Sequence, residues 1–543
     1  MQAQTDRPDG QRVLLAALLL LVLVTWLEPP GSGLAEPDET RYAEIPREML
    51  AAGDLVVPRL NGLPYFEKPP LLYWANAAAF RIFGQTPFAA RFPTRLAGLG
   101  TALLLVFAAG RRRREGLAAG IFLLASPIGF VMARTNLTDG LLTLFFTATL
   151  LAAREAIRRR ESARPWLALA AWTGAAAAGA FLTKGLIALA LPGLILLLWC
   201  LATGRLRQLA ALVVSPATPV FLVLAAPWFL LVESRHPGFL NFFFVREHLQ
   251  RFATGAARRP GPIFYFVPVF VVGFLPGVPF FFAALRRWRG FRRDDDGAFF
   301  FLLWFLAVFA FFSISKSKLP PYLFPAIPAA ALLAARAVDG GRRLWIVQAI
   351  FATVLAAAIL FHPASRAIVM RPELAAIFAP LLAILVLASF AAVLFAGNSA
   401  PLALMAVAAG WAAFFSAVCL GWPRIPQARF PGELAAAARA AAAPGKATIV
   451  GYKDYLNGFS FELKTAIPVA GYRGELEPEF ETRPEARDAI FWPPEKFWTL
   501  WKSDRPVLAL VRMQDLVELM TAVPPARVVR WAGRHAVVAN FPE

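Results

Sequence analysis

Acids, lysines, tyrosines and a histidine concentrate in a few short stretches of this chain. These are "EPDETRYAEIPREM" (36–49), "PYFEKPPLLYW" (64–74), "VREHLQRF" (245–252) and "SKSKLPPYLFP" (315–325), with Asp139 and Lys184 between them. Asp38 and Glu39 are adjacent acids. Such a pair either complements the positive start of a helix or faces the anomeric carbon of a sugar as base or charge stabiliser. The two prolines after Lys68 hold the backbone extended and fix the direction of Glu67 and Lys68. Lys68 would then meet a phosphate as a point charge, or else snorkel along an apolar surface. His248 lies between Glu247 and Arg251, and a lone histidine in a loop is more often a surface residue than a ligand. With Glu67 it supplies two metal ligands, fewer than the usual three or four, so spacing alone proposes no metal. Lys316 and Lys318 precede a proline pair and Tyr322, which suits a second phosphate or anionic lipid headgroups.

What must position these groups is an apolar scaffold. The 543 residues are 58% hydrophobic, mean hydropathy is +0.57, and apolar runs of bilayer length recur to about residue 420. That is the pattern of a polytopic membrane protein. The net charge of +20 lies largely in short arginine clusters between the runs. They read first as topology signals and second as contacts for anionic lipids, and no nucleic-acid partner is expected. The two cysteines, Cys200 and Cys419, lie inside apolar runs and make no disulfide framework.

The run "VLLAALLLLVLVTWL" reads as an uncleaved first helix, with a cleaved signal peptide as the alternative. Alternating sides from a cytoplasmic N-terminus gives about thirteen spans. "RRRRE" (111–115), "REAIRRRESAR" (154–164) and "DGGRR" (339–343) then fall inside, and the acid- and lysine-bearing stretches fall outside. The outer loop with Arg258 and Arg259 fits the rule less well. The expected division is a transmembrane domain over 1–423, with an outer juxtamembrane loop at about 28–87, and a small α/β domain over 424–543. In the latter, β-branched runs such as "ATIVGY" and "PVLALV" alternate with helical patterns. A transporter or flippase would carry ionisable residues near the bilayer midplane, and these spanning runs are almost free of charge at their centres. Groups gathered from distant segments at one face suit an enzyme whose substrates are lipids with phosphate headgroups.

With these segments assembled, the chain resembles the polyprenyl-phosphate-sugar-dependent membrane glycosyltransferases. It is most similar to the bacterial 4-amino-4-deoxy-L-arabinose lipid A transferase family, relatives of the protein O-mannosyltransferases. "EPDETRYAEIPREM", "FEKPPLLYW", "EHLQRF", "SKLPPY" and "GYRGELE" carry the resemblance, in the family's order and over nearly the whole chain. It implies an α-helical polytopic fold of the GT-C type with thirteen transmembrane helices and a C-terminal periplasmic α/β domain. It implies that Asp38 is the essential acid near the reaction centre, with Asp139 as a second catalytic acid. Arg41 and Tyr42 would line the same cavity, and Tyr65 would join them against the substrate. Glu67 and His248 would hold a divalent metal, zinc. Lys68 and Arg251 would hold the donor phosphate near Tyr322, with Lys184 and Lys318 as further basic contacts. The implied reaction moves 4-amino-4-deoxy-L-arabinose from undecaprenyl phosphate to lipid A phosphate, by a monomer of the bacterial inner membrane whose site faces the periplasm. Transfer of another polyprenyl-linked sugar to protein, glycan or another lipid is the alternative.

Reporter fusions test the sides directly. Fusions after Arg114 and Arg293 should report cytoplasm, and fusions after Arg251 and within the C-terminal domain should report periplasm. Opposite sides at two of these points contradict the topology.

Overall fold

The computed structural model describes residues 8–110, 112–250, 260–286, 296–361, 372–424, 426–442, 447–477, 484–522 and 526–542. The described chain is mainly helical and divides into two compact units. One comprises Met1–Leu27, Thr94–Phe229 and Phe244–Leu420; the other comprises Glu28–Pro93, Leu230–Phe243 and Gly421–Glu543.

The first unit is a membrane bundle. Among the described residues, five helices are long and apolar enough to cross a bilayer: Thr138–Glu161, Leu167–Lys184, Ala217–Arg235, Asp296–Ile314 and Ala400–Gly421. Two bent pairs, Arg113–Ala125 with Pro127–Arg134 and Ile263–Gly273 with Val278–Leu285, bring the number to seven if each is one span. This is fewer than the thirteen expected. Helix Pro87–Ala108 carries Arg91 and Arg95, which lower its hydropathy, and helices Arg342–Phe361 and Pro372–Ala396 border residues outside the description. The first bent pair turns at Ser126, whose hydroxyl accepts from the Gly129 N–H at 3.1 Å and so caps the second half.

Small residues let the helices of this unit approach closely, as membrane interfaces require. A Cβ on Gly174 would lie 2.0 Å from the Ala217 carbonyl oxygen. At one end of the bundle Asp296 accepts from Arg205 at 2.8 Å, Trp199 Nε1 at 3.0 Å and Arg154 at 3.3 Å. Some of the cluster arginines therefore neutralise a specific carboxylate as well as marking a side.

The second unit gathers the first loop and the C-terminal segment. Helix Asp38–Ala51 leads to a short hairpin, β1 (Arg59–Leu60) and β2 (Leu63–Pro64), and then to helix Leu71–Phe83. Leu34, Ala43, Ala79, Phe80, Ala89, Ala90 and Phe461 form one buried cluster in this unit. The C-terminal sheet is built from β3 (Thr448–Tyr452), β4 (Val469–Ala470), β5 (Phe491–Trp492), β6 (Val507–Arg512), β7 (Arg527–Ala532) and β8 (His535–Ala539). Its order is β5-β4-β3-β6-β8-β7, parallel from β5 to β6 and antiparallel beyond. The first five residues of the central strand β6, "VLALV", are a continuous apolar run and all buried, as a strand covered on both faces must be.

Candidate functional site

The candidate residues fall into two sets, one in each unit. The first set starts at the N-terminal turn of helix Asp38–Ala51, where acids are favoured by the unpaired N–H groups and the helix dipole. Asp38 pairs with Arg41 one turn on; the Asp38 side chain is 41% exposed and that of Arg41 12%. The Arg41 guanidinium lies 5.7 Å from the centre of the Tyr42 ring, and Tyr42 lies 6.2 Å from Tyr73. Burial pushes the Tyr65 and Tyr73 phenols well above their ordinary value, so both stay neutral. Tyr65 senses Glu67 as well as Arg41, which ties "DETRY" to "FEKPP" in space. Lys68 Nζ donates to the Glu67 carbonyl at 2.9 Å and lies 4.0 Å from the Glu67 carboxylate. Glu67 and Lys68 are both partly exposed. A carboxylate, a guanidinium and an ammonium thus share one region, backed by buried phenols, and this combination suits an anionic sugar phosphate.

Glu39, the neighbour of Asp38, does something else. Its carboxylate is buried and accepts from Arg91 Nε at 2.9 Å, Arg91 Nη2 at 2.7 Å and the Ala35 N–H at 2.9 Å. Arg91 also donates to Glu28 at 2.7 Å and to the Gly33 carbonyl at 2.8 Å. Arg91 gives no signal in the sequence beyond a charge inside an apolar run, and that charge was the clue. Further along the same helix, both Glu44 carboxylate oxygens accept from Arg47 at 2.6 Å. Glu48 accepts from the N–H groups of Asn61 at 2.7 Å and Gly62 at 2.8 Å. Burial pushes the Glu44 carboxyl up to about 8 against the pull of Arg47, and the nearby Glu48 carboxylate adds to the rise.

The second set lies in the membrane unit. Lys184 ends helix Leu167–Lys184 and Asp139 begins helix Thr138–Glu161; Lys184 Nζ donates to Asp139 Oδ1 at 2.5 Å. The same ammonium lies 4.9 Å from the centre of the Tyr322 ring. Asp139, Lys184 and Tyr322, far apart in sequence, are brought together. Lys318 has a different position. Its Nζ donates to the carbonyls of Phe312 at 3.2 Å, Ser313 at 2.7 Å and Ser315 at 2.8 Å. With three N–H groups committed, it caps the end of helix Asp296–Ile314 and has none left for a phosphate.

Arg251 and the side chain of His248 lie outside the described residues. Among the described residues no group of three or more His, Cys, Asp or Glu side chains is placed to hold a metal ion. Glu67 is the one described member of the expected pair, and its carboxylate stands beside Lys68.

This architecture has a close counterpart. The crystal structure of ArnT from Cupriavidus metallidurans bound to undecaprenyl phosphate superposes with a TM-score of 0.84 over 97% of each chain, at 30% sequence identity. The chain belongs to the ArnT-like GT-C family. A family profile described as dolichyl-phosphate-mannose-protein mannosyltransferase matches residues 13–243. The undecaprenyl phosphate-alpha-4-amino-4-deoxy-L-arabinose arabinosyl transferase of Edwardsiella ictaluri is 37% identical over 329 residues, 59% of this chain and 58% of that protein. The enzyme of the same name from Serratia proteamaculans is 38% identical over 335 residues, 60% of this chain and 59% of that protein. The ArnT-like chain thus spans less than two thirds of the length of these curated relatives.

The Glu44 cluster predicts a pH dependence. In the fold this carboxyl holds its proton up to about pH 8, whereas its ordinary value is 4.5. The folded state therefore binds the extra proton, and its stability falls as pH rises through that window. The thermal midpoint of purified wild-type protein should fall more steeply from about pH 5 to about pH 8 than that of Glu44→Gln. Equal slopes would mean that Arg47 keeps Glu44 ionised throughout.

Proposed function

We propose that the protein transfers 4-amino-4-deoxy-L-arabinose from undecaprenyl phosphate to a lipid acceptor, lipid A phosphate, at the periplasmic face of the bacterial inner membrane. The observation that carries this reading is the likeness over 97% of both chains to an ArnT structure bound to undecaprenyl phosphate. The thirteen-span topology, with about 28–87 and 424–543 on the periplasmic side, and action as a monomer belong to the same proposal.

In the reaction the bond between the anomeric carbon and the donor phosphate oxygen breaks, and a bond from that carbon to the acceptor oxygen forms. Undecaprenyl phosphate leaves with the electron pair and is already a good leaving group, so no strong general acid is needed. Lys68 and Arg41 stabilise the charge that gathers on it, and Arg251 is assigned the same role. Lys184, oriented by Asp139 and Tyr322, is a further phosphate contact. A phosphate acceptor has its second pKa near about 6 and is ionised at neutral pH. Asp38 then has no proton to remove and acts by stabilising positive charge on the sugar ring. Tyr42 and the neutral Tyr65 shape and donate to the sugar pocket. Glu67 and His248 would hold a divalent ion, which would add to the stabilisation of charge on the departing phosphate. The mannosyltransferase profile favours a second reading with a hydroxyl acceptor, in which Asp38 becomes a true base.

Purified enzyme with an undecaprenyl-phosphate sugar donor tests this. Lys68→Ala removes a charge-assisted contact of about 1.5–3 kcal/mol and should lower activity by roughly one to two orders of magnitude. Asp38→Asn keeps the shape, removes the charge and should leave activity near background in a protein that still purifies folded. A fully active Asp38→Asn enzyme removes Asp38 from the reaction centre.

A further inference from the structure

We propose that the C-terminal α/β module is the seat that positions Asp38, with Gly458, Glu36 and Asn61 as its positioning residues. This rests on the reading of Asp38 as the reaction-centre acid. In the sheet the chain passes from β3 to β4 and β5 on one side and then returns to β6 on the other side of β3. In open α/β sheets the crevice beyond the carboxyl ends of the strands at such a reversal is the usual place for a ligand. Here the chain leaving β3 runs through Lys453–Leu456 into the short helix Asn457–Leu463, which packs on helix Asp38–Ala51. The end of the sheet that commonly takes a ligand is given to the helix that carries the candidate acid.

The contact is close and specific. The Gly458 N–H donates to Glu36 Oε1 at 2.5 Å, and Asn457 Nδ2 reaches the Pro37 carbonyl at 3.5 Å. Glu36 and Pro37 immediately precede Asp38. A Cβ on Gly458 would fall 2.6 Å from Glu36 Oε1 and 2.9 Å from Thr40 Cγ2, so this approach requires glycine. The other end of the helix is tied separately. Asn61, fully buried with φ of 51°, donates to the Ile467 carbonyl at 2.8 Å and accepts from the Ile467 N–H at 2.8 Å, two residues before β4. The N–H groups of Asn61 and Gly62 in turn bind Glu48, a carboxylate of the Asp38 helix.

The helix is therefore held at its start by Glu36 and Gly458, and at its end through Glu48 and Asn61. Asp38 pairs with Arg41 of its own helix, so its place against any substrate is set by where that helix sits. A misplacement of about 1 Å can cost on the order of a hundredfold in rate.

The test uses the full chain, purified, with a polyprenyl-phosphate sugar donor and lipid A. Gly458→Ala and Asn61→Gly should each lower kcat by about tenfold to a hundredfold, with the donor KM held within about twofold. Glu36→Ala should behave like them, whereas Glu36→Gln keeps an acceptor oxygen and should restore kcat. Val538→Ala is the control. It is fully buried in the sheet and paired with Ala509 of β6, away from both ties. It should lower the thermal midpoint while leaving kcat near wild type. Wild-type kcat in both Gly458→Ala and Asn61→Gly overturns the proposal. So does a Val538→Ala enzyme that loses kcat in proportion to its stability, because the module would then serve folding alone. If Gly458→Ala does not fold, Asn61→Gly and the Glu36 pair carry the test. An active Asp38→Asn brings down the reaction-centre reading, and this proposal with it; an inactive Asp38→Asn beside an active Gly458→Ala refutes the seat alone.

Discussion

A charged group removed from water must be matched by an opposite charge or by hydrogen bonds, because an unpaired buried charge costs more than most side-chain contacts return. In a chain this apolar, that requirement decides where every arginine, lysine and acid can stand. Arg91 is buried against two carboxylates and a carbonyl. Lys318 is buried against three carbonyls. Asp296 gathers two arginines and an indole N–H. Removing Glu39, the buried carboxylate that takes two of the Arg91 donors, would strip that buried charge of its main partner, a loss of about 3–5 kcal/mol.

The same requirement separates structural charges from those available to a substrate. Asp38 is the most exposed acid in the first turn of its helix, and Glu67 and Lys68 are also partly open, while Glu39, Glu44 and Glu48 are sealed in. Glu39 and Glu48 fix the helix to its surroundings, so that the exposed acid has a defined place. Lys184 stands between the two cases, since it is held by Asp139 at 2.5 Å yet lies over an aromatic ring. A carboxylate and a ring face together keep this ammonium in one place.

The membrane class and the α/β character of the last segment were legible in the sequence, and the stretches rich in acids and lysines stood out from it. Each depends on local pattern: apolar run length, β-branched alternation, and acids or lysines beside prolines. The pairings were not legible, because they join residues distant along the chain. Glu39 reads as an equal of Asp38 until Arg91 claims it, and Lys318 reads as a phosphate ligand until the end of its own helix takes its three donors. Asn61 in a two-residue hairpin turn looks like ordinary turn chemistry, and nothing local reveals its partner Ile467, more than four hundred residues away. Arg91, near the start of helix Pro87–Ala108, likewise reads as a stray charge in an apolar run until its polar network is seen.

Sugar transfer from a polyprenyl phosphate to a lipid acceptor is the central claim, and the acceptor itself records it. Lipid A from cells lacking this gene, and from the same cells expressing the wild-type or the Asp38→Asn protein, can be compared by mass spectrometry. The account predicts that only the wild-type protein adds the mass of 4-amino-4-deoxy-L-arabinose to a lipid A phosphate, with both proteins present in the membrane at equal levels. A lipid A profile that is the same with and without the wild-type gene, or one restored equally by Asp38→Asn, would contradict it.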